Sequence, residues 1–325
     1  MAVFLGFAII FTAVVGKEKI LEEAIKSEPE EYKGIITMWQ VDSFEGGVGS
    51  RKQFLLKVAR GFEKKHDGAL VMVTNYTMDG VIKNLNSGIY PDIISFGIGT
   101  EVKEFSELAV KTSFLGGKVG NVTYAVPWCR GGYVLIYNPS LTNGKLDDID
   151  TLIVSQGEYT QPLLAAKLEG IRASDYLVLP PMDAYVKFVS GKVKYLLGTQ
   201  RDISRLKNRG MDAGIVPLEK YNDLYQYAVV TSKDNAKKYY AEEFINYLVS
   251  ESVQEKLTSI SMYSVEHSIK TDDEQMKKMQ NINGFSTISA FTPPQILKEL
   301  QTISKDAILG DEKAANKIKN MLILP

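Results

Sequence analysis

Three observations predict an α/β protein with parallel strands. Apolar β-like runs at residues 35–39, 69–76 and 92–97 alternate with stretches of helical spacing, and such alternation implies parallel pairing through right-handed crossovers. The chain has 325 residues, 45% of them hydrophobic, which is enough for two ordinary domains with their own cores. Polar, glycine-bearing loops, Gln40 to Gly47 and Ser95 to Thr100, follow the first and third runs. Sheets of this kind bind ligands beyond the carboxyl ends of their strands, so both loops should open onto one crevice.

The first run, IITMW, delivers Trp39, Asp42, Ser43 and Glu45 with two glycines to that crevice. Ser50 can then cap a helix in which Phe54, Leu55, Val58 and Phe62 recur on one face. ALVMVTNY from Ala69 is a second strand; a shorter helix through Val81, Ile82 and Leu85 breaks at Ser87-Gly88; DIISFG is the third strand. TYAVPWCRGGYVLIYN, 123–138, reads as two extended runs joined through Pro127 to Gly132, a place to cross between domains. The stretch from Gly144 to Gly170 is expected to be loop-rich, and Asp183 to Val189 to be helical. Strand KYLLG ends at Gly198, after which Thr199 or Asp202 can cap a helix; exposed amides there, beside Arg201, suit hydroxyls or an anion. From Tyr225 a strand leads to a helix capped at Asp234 with Tyr240, Phe244 and Leu248 on one face. Ile296, Leu300, Ile303 and Ala307 mark a further helix, and a last one ends near Leu324.

The 38 basic and 39 acidic residues balance, so no overall field favours nucleic acid or an anionic membrane. A small or modestly charged ligand fits better. Residues 2–16, AVFLGFAIIFTAVVG, are short against the roughly 20 residues of a membrane span and match the apolar core of a signal peptide, with Val14 and Gly16 before a cleavage point. Export is expected, with a retained anchor as the alternative. Cys129 is the only cysteine, which rules out an intrachain disulfide. One Cys with His66 and His267 is too few for a transition-metal site.

Familiar catalytic motifs are incomplete. ISFGIGTE has a G-x-G after a strand, but Val102 stands where the dinucleotide fingerprint needs its third glycine, and no phosphate-binding P-loop occurs. No cofactor is expected. Asp42 and Glu45 could serve as a glycosidase acid and base, or equally as acceptors for sugar hydroxyls. Trp39 and Trp128, the only tryptophans, each stand beside a turn or crossover, where an indole can stack on a pyranose; core packing would explain either one equally well.

PDIISFG at 91–97, YAVPWCRGGYVLIYN at 124–138, GKVKYLLGTQRD at 191–202 and AVVTSKDNAKKYYAEEFINYLVSESVQEKL at 228–257 occur in an order that resembles the extracellular solute-binding proteins of ABC importers, of the sugar-binding, maltose-binding type. The resemblance runs from Gly34 to the C-terminus. It implies a two-lobed type 2 periplasmic-binding-protein-like fold with hinge strands, first lobe 34–125 plus 227–289 and second lobe 126–226 plus 290–325, behind the leader or anchor 1–16 read from its apolar run and a linker 17–33. Carried over by position, it implies ligand contacts from Trp39, Asp42, Ser43 and Glu45, from Ser95 and Phe96, from Trp128 at the crossover, and from Gly198, Thr199, Gln200 and Arg201 in the second lobe. The second lobe is short for this group.

The same resemblance implies a monomeric, non-enzymatic, extracytoplasmic receptor, without nucleic-acid partners. It would capture a sugar or oligosaccharide by hinge closure and present it to ABC permease subunits. An exported carbohydrate-active enzyme using Asp42 and Glu45, and a tethered sensor subunit, are the alternatives.

Overall fold

The computed structural model describes residues 32–100, 118–119, 122–142, 149–280 and 290–323. The expected leader at 1–16, nearly all of the 17–33 linker, Val102 and Leu324 lie outside these. Among the described residues no helix is long and apolar enough to cross a membrane.

β1 (Gly34–Val41) leads through α1 (Arg51–Glu63) to β2 (Ala69–Tyr76), and α2 (Met78–Asn86) leads to β3 (Ile93–Phe96). β1 pairs in parallel with both β2 and β3, as the alternation predicts. α1 buries Phe54, Leu55, Val58 and Phe62, the residues picked out by their spacing. Each large apolar side chain so buried contributes roughly 1.5–3 kcal/mol. α2 is capped by Thr77, whose side chain accepts from Gly80 N, and it buries Val81 alone.

A small ribbon, β4 (Lys118–Val119) with β5 (Val122–Thr123), precedes β6 (Val126–Arg130) and β7 (Tyr133–Tyr137). The crossing between sheets is tighter and later than expected. Pro127 lies inside β6, on the sheet edge, where a missing N–H is tolerated and where the facing register shifts between Gln226 and Tyr227; the turn itself is Gly131-Gly132.

The segment expected to be loop-rich contains β8 (Ile149–Ser155) and α3 (Pro162–Glu169). Pro162 to Ala166 are all buried, so the first five residues of α3 show no polar face to give them a helical period. β8 runs between two parallel neighbours and is buried at four successive positions, Leu152 to Ser155, so it does not alternate either. β9 (Ala173–Leu179), α4 (Pro181–Val189), β10 (Tyr195–Thr199), α5 (Gln200–Asn208) and β11 (Gly214–Pro217) complete this part, and β12 (Tyr225–Val230) returns to the first sheet. α6 (Asn235–Leu248) starts at Asp234, which caps it by accepting from Lys237 N, and buries Tyr240, Phe244 and Leu248. The short α7 (Glu251–Gln254), α8 (Glu274–Gln280), α9 (Pro294–Ile308) and α10 (Glu312–Ile323) follow.

Two five-stranded sheets result, ordered β2-β1-β3-β12-β6 and β11-β7-β10-β8-β9. The chain passes from first to second between Arg130 and Tyr133 and returns between Pro217 and Tyr225. β6 and all of β12 thus belong to the first sheet. A third link runs past Arg130, whose backbone exchanges two hydrogen bonds with Tyr263 and whose guanidinium donates to the carbonyls of Ser264, Met279 and Gln280. Beyond it, Met276 and Met279 of α8 pack in the apolar cluster of the second sheet, and α9 packs on α3.

Candidate ligand-binding cleft

The loop after β1 meets the start of α5 from the opposite sheet. Thr199 and Asp202 form a capping box there: Thr199 Oγ1 accepts from Arg201 N, and Asp202 Oδ2 accepts from Thr199 N. Burial pushes the Asp202 carboxyl up to about 6, outweighing the bonds from Thr199 and Arg205. The helix so anchored presents Arg205, which binds Glu45 in a fork, Nη2 to Oε1 at 2.7 Å and Nη1 to Oε2 at 2.9 Å. Arg201 adds a bond from Nη1 to the carbonyl of Gly47. Two guanidiniums from one lobe therefore hold the β1 loop of the other. Gln200, buried behind them, accepts from Gly132 N at 3.0 Å and so fixes the crossover turn to the same helix start. A Cβ at Gly131 would lie 2.6 Å from Gln200 Oε1, which is why glycine stands in that turn.

Between these elements lies a cavity of about 530 Å³, within the usual range for small-molecule sites. The β1 loop and the start of α1 line one side, including Asp42, Ser43, Glu45, Ser50 and Arg51; Ser155, Gly157, Thr160, Thr199 and Arg201 line the other. Asp42 is held by Arg51, Nε to Oδ1 at 2.7 Å. The side chain of Arg51 is 3% exposed, also donates to the Phe44 carbonyl, and packs over the Phe44 ring. Among the described residues its Nη1 has no partner, nor has the buried Ser43 Oγ. Ser50 occupies the N-cap position of α1 but makes no side-chain cap bond, so its hydroxyl is not consumed by the helix. Gly97 makes room for Ser43: a Cβ there would lie 2.0 Å from the Ser43 hydroxyl.

Of the residues singled out from the sequence, Asp42, Ser43, Glu45, Thr199 and Arg201 come together on the cavity wall. Trp39, Ser95, Phe96, Trp128, Gly198 and Gln200 are not among its lining residues, because packing claims them. Trp39 packs against Tyr76 in the apolar cluster above β1 and β3, which also holds Phe96. Trp128 is fully buried, stacks on Phe54 at 5.9 Å and donates from Nε1 to Ser95 Oγ at 3.0 Å. Ser95 also accepts from Gln226 Nε2 at 3.0 Å. At Gly198 a Cβ would lie 2.5 Å from Asp202 Oδ2, so that glycine serves the capping box. Cys129 is likewise buried, and burial pushes its thiol up to about 12.

Sequence reasoning missed Arg51, Arg205, Ser50, Ser155 and Thr160. Arg51 carried a usable signal: a cation at the first position of a helix opposes the helix dipole and calls for an anion nearby. Arg205 carried none, since its partner Glu45 is 160 residues away.

No family model and no curated protein matches the sequence. Solved structures do. The GacH receptor of Streptomyces glaucescens, determined unliganded and with acarbose, is similar with a TM-score of 0.60 at 16% identity, over 90% of this chain and 99% of that one. The galacto-N-biose-/lacto-N-biose I-binding protein of an ABC transporter from Bifidobacterium longum gives 0.59 at 14% identity, over 89% and 95%. The sugar-binding protein MalE from Xanthomonas citri gives 0.61 at 13% identity, over 89% and 95%. With two mixed sheets, a double crossover and a cavity between lobes, the chain has the two-lobed type 2 periplasmic-binding-protein fold of these sugar-binding proteins of ABC transporters.

Proposed function

We propose that the chain is an extracytoplasmic solute-binding protein that captures a sugar or oligosaccharide between its lobes and presents it, in the closed form, to an ABC permease. The observation that carries this reading is the polar cavity at the junction of two separately built sheets, bridged by Arg205 and Glu45. A ligand touching both walls favours closure, because its contacts are complete only in that state. The apolar run at 2–16 accounts for export or tethering. Asp42 and Glu45 are committed to ion pairs with Arg51 and Arg205, which suits positioning better than proton transfer and favours binding over glycoside hydrolysis. Asp42, Ser43, Glu45, Thr199 and Arg201 are the contacts assigned to the ligand.

Calorimetric and thermal-shift titration against a panel of mono- and oligosaccharides tests the reading. Saccharide binding without product formation is expected; release of shortened glycans by the purified protein would overturn it. The bridge makes its own prediction. Glu45→Gln removes the charge from a forked pair whose guanidinium is mostly buried and whose carboxylate is half-buried, and should cost about 1–3 kcal/mol of closure, a roughly 5- to 150-fold loss of affinity for whichever panel saccharide binds. Small-angle scattering should show a wider unliganded particle. Unchanged affinity and unchanged dimensions would show that the pair does not govern closure.

A further inference from the structure

We propose that the cleft selects a saccharide bearing an anionic group, a uronate carboxylate being the simplest case, with the anion held between Arg51 and Arg201. This rests on the sugar-binding reading and narrows it. Two helices begin at the cavity: α1, with Arg51 as its first residue, and α5, with Arg201 as its second. Helix N-termini carry partial positive charge, and a guanidinium placed in a first turn opposes the dipole unless an anion joins it. α1 has no acidic residue in its first turn, and Asp202 of α5 is turned inward to the capping box with 0% exposure.

The carboxylates on the wall are already engaged, Asp42 by Arg51 Nε and Glu45 by Arg205. Arg201 has only the Gly47 carbonyl and no carboxylate among the described residues. Arg51 Nη1 is buried and lacks an acceptor among the described residues; Arg51 and Ser43, whose hydroxyl is also without a partner there, both belong to the cavity wall. A buried N–H of a guanidinium without an acceptor is costly, and a carboxylate supplies the strongest one available. The wall offers no counter-argument in stacking: among the described residues it contains no Trp or Tyr, with Phe44 as its one aromatic, itself covered by Arg51. Specific recognition therefore rests on polar groups, and the cationic ones among them, Arg51 and Arg201, are donors only, while the wall hydroxyls both donate and accept.

The test is calorimetry of the full-length protein against paired oligosaccharide digests: neutral ones from starch, cellulose, xylan and galactan, acidic ones from pectin, alginate and hyaluronan, with inorganic phosphate and succinate as non-sugar anions. Binding confined to acidic saccharides is expected, at least tenfold tighter than for neutral counterparts of the same length, and weakened by added salt. Arg201→Gln should abolish that preference. Arg51→Gln should do the same but also strips the Asp42 and Phe44 contacts, so Arg201→Gln and the preference of the unaltered protein decide the matter. Binding of neutral saccharides with equal or greater affinity overturns the acidic preference and leaves the sugar-binding reading standing. Binding of phosphate or succinate without any saccharide supports the anion site and overturns the sugar. Binding of none of these overturns both.

Discussion

Trp128→Ala is expected to destabilise the protein by about 3–5 kcal/mol, the usual cost of deleting a buried aromatic side chain. Trp128 is fully enclosed, stacks on Phe54 of α1, and spends its indole N–H on Ser95. Truncation removes a large apolar surface, opens a void between α1 and the first sheet, and takes one donor from the Ser95 hydroxyl, which keeps its bond from Gln226. Urea unfolding measures the loss. Both tryptophans being buried, native emission should be blue-shifted and resist iodide quenching. A loss below about 1 kcal/mol, with saccharide affinity reduced instead, would return Trp128 to the role of ligand platform that its place beside a crossover suggests.

The second large effect is on pH dependence. Asp223 sits in the returning crossover, fully buried, with Tyr133 donating to Oδ1 at 2.6 Å and Tyr221 to Oδ2 at 3.2 Å. Burial outweighs these two bonds and raises its carboxyl from the ordinary 3.8 to about 7. Below pH 3.8 folded and unfolded states both hold the proton, and nothing is lost. Between 3.8 and 7 the unfolded state releases it and the folded state keeps it, so stability falls as pH rises, by up to about 1.4 kcal/mol per unit. Above 7 both are ionised and the full loss, on the order of 4 kcal/mol, is in place. Asp223→Asn removes this titration. Subtracting its unfolding free energy from that of the parent at several pH values between 4.5 and 8 isolates the group, and the parent should lose ground up to about pH 7 and level off above it. A flat difference would mean that the tyrosine bonds, not burial, set the state of Asp223.

From Gly34 to Phe96 the chain was legible because its physics is local. α1 shows one apolar face, β2 is a short apolar run rich in β-branched residues, and Gly88 and Pro91 punctuate. β8 and α3 were not, because Leu152 to Ser155 and Pro162 to Ala166 are unbroken buried runs, which leave too few polar positions to reveal a period. At the cleft the same division holds. The Thr199 to Asp202 cap and the polar loop after β1 could be read from spacing alone. The tryptophans could not, since proximity to a turn says nothing about which neighbour, Phe54 or a ligand, fills the face of the ring. Pairings such as Glu45 with Arg205 arise only when two distant loops are brought together.

The place of β12 sets an order of completion during synthesis. It lies between β3 and β6 in the first sheet, yet it is made more than a hundred residues after β3, on the order of ten seconds at the pace of translation. Until then all four residues of β3, buried in the finished protein, border a missing neighbour. The strands of the second sheet, by contrast, run without interruption from Tyr133 to Pro217. The sheet that begins first finishes last. A nascent chain arrested near Leu218 would carry every strand of the second sheet beside a first sheet with an open apolar flank, ready to pair with a neighbouring chain on the same polysome.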